Sequence, residues 1–149
     1  MPDYELRIGR YSEAYRCYFV TTVVNERKRY FEDFYCGRLV INEMRVLHEA
    51  GDVNSLAWVV MPDHIHWLFQ LTEHKTLSEV MKCFKARSAL QVNGYLGRSG
   101  TVWQKAFYDH GLRKEEDVKG IARYIVANPL RAKLVERIGD YPLWDAIWL

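Results

Sequence analysis

Cysteine is scarce in this 149-residue chain. Cys17, Cys36 and Cys83 are odd in number and show neither CxxC nor zinc-finger spacing. That argues against a disulfide framework and a structural zinc site, and predicts free thiols in a reducing cytoplasm. Proline (4) and glycine (9) are also few, so no Pro-rich or Gly/Ser linker divides the chain, and there is no internal repeat or low-complexity tract. No apolar run approaches the ~20 residues that cross a bilayer, and no membrane partner is expected. The N-terminal MPDYELRIGR carries both signs of charge and lacks the apolar core of a secretory signal. There is no P-loop and no dinucleotide-binding glycine fingerprint. The net charge, +2, is too small to announce a polyanionic partner by itself.

With 49% apolar and 27% charged residues, the chain has the makeup of one domain over residues 1–149, carrying a short apolar C-terminal tail from about 138. A chain of this length buries roughly 68–70% of its surface on folding, enough for a core without metal or disulfides. The charge is unevenly spread: residues 1–74 carry 8 Lys/Arg against 11 Asp/Glu, residues 75–149 carry 13 against 8. Lys75, Lys82, Lys85, Arg87, Arg98 and Lys105 are opposed only by Glu79. Such a stripe is either a solvated helix face or a track for a phosphate backbone.

Tyr15 to Val24 is rich in β-branched and aromatic residues and predicts a strand, closed by the polar run Asn25 to Arg29. Cys36, Val40, Met44 and Leu47 recur at helical spacing, with Gly51 at the C-cap. Ser55 to Met61 and Ile65 to Leu71, separated by Pro62-Asp63, predict an antiparallel hairpin. Thr76-Leu77-Ser78-Glu79 is a capping box that opens a second helix, with Leu77, Val80, Met81 and Phe84 inward, Lys82 and Lys85 more exposed, and Gly94 and Gly97 at its end. A strand around Val102 to Leu112, the acidic cap Glu115-Glu116-Asp117 and a last helix to about Asn128, stopped by Pro129, complete the order. That order predicts an α+β fold: a ferredoxin-like antiparallel four-stranded sheet with two helices on one face and an extra C-terminal helix.

In Asp63-His64-Ile65-His66-Trp67-Leu68-Phe69, strand alternation turns Ile65, Trp67 and Phe69 to one face and His64, His66 and Leu68 to the other. Side by side on one face, the two imidazoles are either hydrogen-bonded surface groups or ligands of one divalent metal. The run does not continue as HxHxDH, which sets aside a metallo-β-lactamase site, and Leu68 stands where a histidine-triad hydrolase needs a third histidine. The chain is also too short for an amidohydrolase barrel.

Of ten tyrosines, only Tyr124 and Tyr141 have a potential metal ligand four residues later, and Pro142 spoils a helical reading of the second. In the last helix Val118, Ile121, Ala122 and Ile125 form the apolar stripe, with Tyr124 and Asn128 together at its edge. Tyr124 is then either a boundary residue or a nucleophile.

The runs VVMPDHIHWLF, FKARSALQVN, VWQKAFYDHGLR and ARYIVANPLRAKLV, in that order, resemble the HUH single-strand transposases, and most closely the REP-associated tyrosine transposases. The resemblance extends from about Tyr15 to Tyr141. It implies that His64 and His66 bind Mg²⁺ or Mn²⁺ with Asn128 as third ligand, and that Tyr124 attacks DNA to form a 5′-phosphotyrosine link. Asn128 stands where related insertion-sequence enzymes often have Gln, and its place before Pro129 biases it away from helical geometry. The implied substrate is single-stranded DNA carrying hairpin elements, handled by a monomer or a homodimer. Candidate phosphate contacts are Lys82, Lys85, Arg87, Arg98, Lys105, Arg123 and Arg131. Candidate stacking residues are Trp103, Tyr108, Tyr141, Trp144 and Trp148, though ordinary core packing is the first reading of any one of them. The apolar tail is expected to cover the active site or to join a partner chain. Two other functions fit the same residues: a noncatalytic single-stranded nucleic-acid-binding module with a structural histidine pair, and a metal-dependent nucleotide hydrolase without a covalent intermediate.

Overall fold

The computed structural model describes residues 12–113 and 116–147, and the backbone alone of residues 5–7. Glu115 of the expected acidic cap and Trp148 of the expected stacking set lie outside the described residues. The order is β1 (Glu5–Arg7), β2 (Cys17–Val23), α1 (Phe34–Glu49), β3 (Val53–Met61), β4 (His64–Leu71), α2 (Leu77–Leu96), β5 (Phe107–Gly111), α3 (Val118–Val126), α4 (Asn128–Arg131) and β6 (Trp144–Ala146).

The hairpin forms where the alternation placed it. Met61 faces His64 across the Pro62-Asp63 turn, and the ladder runs to Val53 opposite Leu71 with one irregularity between Ser55 and Ala57. β2 begins at Cys17, later than the expected Tyr15, because Tyr15 has a φ of 66°, outside strand geometry. β5 is shorter than the expected Val102 to Leu112. Trp103 makes only an isolated bridge to Val24, and its indole N–H donates to buried Ser88 Oγ at 2.9 Å. Lys85 Nζ donates to the carbonyls of Gln104 and Ala106 at 2.9 Å each. The segment before β5 is thus tied to α2 instead of extending the ladder.

The antiparallel sheet runs β1-β5-β2-β4-β3-β6. Its central order, β5-β2-β4-β3, is that of a ferredoxin-like arrangement, but the sheet has six strands where four were expected. β1 adds to β5, and the tail supplies β6, which pairs antiparallel with β3 from Val59↔Trp144 to Ala57↔Ala146. The tail therefore covers a strand edge that would otherwise expose unpaired N–H and C=O groups. Leu143, just before β6, is buried against Gly37 of α1, where an added Cβ would come within 2.6 Å of its side chain.

Strand alternation sorts side chains into two cores. On one face, Val20, Ile65, Trp67 and Phe69 pack with Met44 of α1 and Phe84 of α2. On the other, Phe19, Ala57, Val59 and Leu68 pack with Ala122 and Ile125 of α3. α2 opens with the expected capping box, Thr76 and Glu79 each bonding the other's backbone N–H. It passes through Gly94 and stops at Gly97, whose φ of 64° supplies the left-handed cap.

The last helix departs from expectation. It ends at Val126, turns at Ala127 and restarts as the short α4. Pro129 falls in the first turn of α4, where its missing N–H is not needed.

Candidate active site

His64 and His66 project from β4 on the face that α3 covers. Strand pairing sets Thr21 directly opposite His66, and Phe19, of the α3-side core, meets the His66 ring edge-on at 5.5 Å. The two imidazole centroids are 4.9 Å apart, with ring planes at 76°. Each ring has its Nδ1 engaged: His64 with Asp63 Oδ1 at 2.7 Å, and His66 with Thr21 Oγ1 at 2.8 Å. When Nδ1–H is the donor in both, each Nε2 carries a lone pair, the state a metal-binding imidazole requires.

Burial, aided by Coulombic interactions with His64 and Arg131, pushes His66 down to about 3. It is neutral at physiological pH and needs no deprotonation to act as a ligand. Burial alone would raise Asp63, but its bonds and charge contacts with His64 and Arg27 outweigh that and hold the carboxyl below the usual range. Asp63 therefore stays ionised beside His64, in the carboxylate–histidine arrangement that orients metal ligands.

The described residues hold no group of three or more His, Cys, Asp and Glu arranged for a metal ion. A metal here would rest on two imidazoles completed by another donor type. Asn128, the first residue of α4, carries an amide oxygen, and among the described residues its side chain makes no hydrogen bond. Two imidazoles with an amide oxygen fit Mn²⁺, which accepts nitrogen donors more readily, better than Mg²⁺, which prefers oxygen donors throughout.

Tyr124 is half-buried at the edge of the α3-side core, and α3 lies across β3, β4 and β6. The Arg131 guanidinium carbon sits 3.7 Å from the Tyr124 ring centroid, and Arg131 Nη2 donates to the Tyr124 carbonyl at 2.6 Å.

The proposed phosphate contacts separate into distinct environments. Lys85, expected to be exposed, is a correction: its ammonium is turned inward onto two carbonyls and over the Phe107 ring, and burial pushes it down to about 8. Arg87 is paired with Glu43 at 2.7 Å. Arg98 binds Asn93 and the Thr101 carbonyl and lies over Tyr30. Lys82, Lys105 and Arg123 are exposed, with no ion pair among the described residues. Lys82, Lys85 and Arg87 belong to α2, across the sheet from the histidines and α3, so the expected stripe does not adjoin the histidine pair.

Among the stacking candidates, Trp103 is core, and Trp144 is half-buried with its indole N–H on the Ile138 carbonyl at 3.1 Å. The Tyr141 hydroxyl donates to the Val60 carbonyl at 2.6 Å, and burial, only partly offset by Arg29, pushes it up to about 12. Those properties make Tyr141 a poor nucleophile. Tyr108 is 39% exposed and pairs with Thr21, so it lies on the histidine face and is the one stacking candidate with an open ring there.

Sequence reasoning missed Thr21 and the function of Asp63. The adjacency of Asp63 to His64 is a readable signal, but beside Pro62 it reads first as a turn residue. Thr21 becomes visible only through the β2–β4 register. It also missed a second carboxylate–histidine pair, His110 Nε2 with Glu116 Oε1 at 2.9 Å, formed across the loop between β5 and α3.

The family described as "Transposase IS200 like" matches residues 13–128, a span that contains both histidines, Tyr124 and Asn128. The chain belongs to this family of tyrosine transposases. It is 29% identical over 140 residues to a Haemophilus influenzae protein named for the REP-associated tyrosine transposases, covering 84% of this chain and 76% of that one. It is also 29% identical over 91 residues to the REP-associated tyrosine transposase of Escherichia coli, covering 58% of this chain and 50% of that one. The structure of a REP-associated tyrosine transposase bound to a REP hairpin is similar with a TM-score of 0.75 at 23% identity, over 93% of this chain and 81% of that one. A crystal structure from Deinococcus radiodurans, also described as a transposase, gives a TM-score of 0.56 at 18% identity, over 82% and 96% of the two chains. At these identities the solved structures establish the fold. Among the described residues no helix is long and apolar enough to cross a membrane.

Proposed function

We propose that this chain is a metal-dependent single-strand DNA endonuclease and transposase that cleaves and rejoins DNA beside hairpins, with Tyr124 as nucleophile. The observation that carries this is the histidine pair: both Nδ1 atoms are engaged by Asp63 and Thr21, on the sheet face that α3 and Tyr124 cover. With both Nδ1 atoms engaged, each Nε2 is left without a hydrogen-bond partner among the described residues, as a pair of metal ligands requires. Family membership supports the same reading, as does the hairpin DNA in the related structure.

His64, His66 and Asn128 would hold Mn²⁺ or Mg²⁺, which when bound supplies Lewis-acid polarisation of the scissile phosphate. The chain's own residues do the rest. Thr21 and Asp63 fix the imidazoles. Tyr124 is placed on a packed helix, so its hydroxyl is delivered in one orientation rather than searching for the phosphorus. The Tyr124 oxygen bonds to phosphorus and the P–O3′ bond breaks. The phenolic proton is lost and the departing 3′ oxygen takes up a proton, giving a free 3′-OH and a 5′-phosphotyrosine. One phosphate ester replaces another, so rejoining by a new 3′-OH needs no nucleotide triphosphate.

Incubating the protein with Mn²⁺ and an end-labelled single strand carrying a hairpin and a flank tests this on a denaturing gel. A protein-linked band carrying the strand's 3′ portion, absent when metal is chelated beforehand, is expected. Binding without any linked band would mean a noncatalytic module, and release of cut strands without a linked band would mean a hydrolase.

A further inference from the structure

The break between α3 and α4 leaves a backbone group that one side chain takes up. Ala127 N–H closes the last turn of α3 on the Arg123 carbonyl at 3.0 Å, and Ala132 N–H already bonds the Asn128 carbonyl at 2.9 Å. Among the described backbone bonds none reaches the Tyr124 carbonyl from Asn128, since the chain turns at Ala127 before restarting. The carbonyl is met instead by Arg131 Nη2 at 2.6 Å.

The same guanidinium lies over the Tyr124 ring with its central carbon 3.7 Å from the centroid. That is full van der Waals contact, well inside the ~6 Å reach of a cation–π interaction. The other cation–ring contacts among the described residues are 5.2 to 5.9 Å. Arg131 therefore grips Tyr124 twice, at its backbone and at its ring, across the break that carries Asn128. A planar guanidinium can stack on a ring while donating within its own plane, whereas a lysine ammonium has no plane to stack.

We infer that Arg131 is the positioning residue for the Tyr124 nucleophile: it locks the phenol ring and the α3–α4 break together, instead of serving as a DNA phosphate contact. The inference rests on the proposed function, since it presumes that Tyr124 attacks.

The full-length protein, Arg131→Lys, Arg131→Gln and Tyr124→Phe are compared with Mn²⁺ and a single-stranded hairpin oligonucleotide bearing a flank. Single-turnover adduct formation and oligonucleotide affinity are measured separately, with thermal melting as the fold control. Both Arg131 variants should slow adduct formation by about 10-fold to 100-fold, the penalty for a nucleophile misplaced by about an ångström. Affinity should stay within about twofold, because the guanidinium faces Tyr124 and not the strand.

A phosphate contact predicts the opposite split: affinity falls, its salt dependence weakens, and lysine restores function. Wild-type rates in Arg131→Lys, or a loss of affinity that accounts for the loss of rate, would overturn the inference. Should Arg131→Gln melt below the assay temperature, Arg131→Lys alone decides. No adduct in the wild type, or an adduct that persists in Tyr124→Phe, would overturn the proposed function and this inference with it. A wild-type adduct lost in Tyr124→Phe but formed normally in Arg131→Lys would overturn the inference alone.

Discussion

Replacing Thr21 by valine exchanges a hydroxyl for a methyl at nearly constant shape, and its neighbour Thr22 provides the control. Thr21 Oγ1 lies 2.8 Å from His66 Nδ1. In Thr21→Val that partner is gone, and the imidazole proton is free to move to Nε2, which removes the lone pair a metal needs. Outer-shell partners of metal-bound histidines are typically worth 10–100-fold in metal affinity, or about 1.4–2.7 kcal/mol. The fold should lose only about 0.5–1.5 kcal/mol for a hydrogen bond in a half-buried strand that tolerates valine well.

Thr22 points to the opposite face, fully buried, and its hydroxyl has no hydrogen-bond partner among the described residues. Thr22→Val removes that unsatisfied group and should stabilise the protein by about 1 kcal/mol or more, with metal affinity unchanged. Mn²⁺ titration by calorimetry, with cleavage rates at limiting and saturating Mn²⁺, measures both effects. Thr21→Val should be slow at limiting metal and nearly normal at saturation. An Mn²⁺ affinity within twofold of wild type in Thr21→Val, or an equal loss in Thr22→Val, would refute the assignment of Thr21 to the site.

Lys85→Met should cost roughly 1–2 kcal/mol at neutral pH because the Gln104 and Ala106 carbonyls lose their donor, while Lys82→Glu should leave denaturant stability unchanged. Burial lowers Lys85 to about 8, so the folded state holds that proton less tightly than the unfolded chain. The cost of burying the charge is full below about pH 8 and is relieved as pH rises toward the ordinary lysine value. Wild type should therefore gain on Lys85→Met across that window by up to about 1.4 kcal/mol per pH unit, and a flat difference would contradict the inward placement. His66→Ala should abolish cleavage in a protein that still melts cooperatively at the assay temperature, with Asn128→Ala milder in the same assay. Wild-type cleavage in His66→Ala would exclude the histidine pair from the chemistry.

The residues of the candidate site were legible because alternation and helical spacing are local. The parity of Ile65, Trp67 and Phe69 puts His64 and His66 together on the opposite face of the strand without any knowledge of the sheet, and the capping box at Thr76 fixes the start of α2. What stayed hidden depends on register or on tertiary competition. Thr21 becomes a partner of His66 only once β2 is aligned with β4. Lys85 reads as a surface cation until the carbonyls of Gln104 and Ala106 are seen to claim it. Pro129 reads locally as a helix stop, whereas α3 already ends at Val126 and the proline falls in the first turn of α4. The tail was legible as apolar and needing cover, though not as a sixth strand, because Trp144–Ala146 is too short to carry a periodic signal.

The central claim is that Tyr124 itself becomes bonded to DNA, and mapping the linkage tests it most directly. After reaction with Mn²⁺ and a hairpin-bearing single strand, the denatured adduct is digested with nuclease and protease and the nucleotide-bearing peptide is sequenced by mass spectrometry. The account predicts one modified peptide, from α3, with the added 5′-phosphate mass on Tyr124, and no adduct in Tyr124→Phe. Modification on Tyr108, the exposed tyrosine of the same sheet face, or an unchanged adduct in Tyr124→Phe, would contradict it.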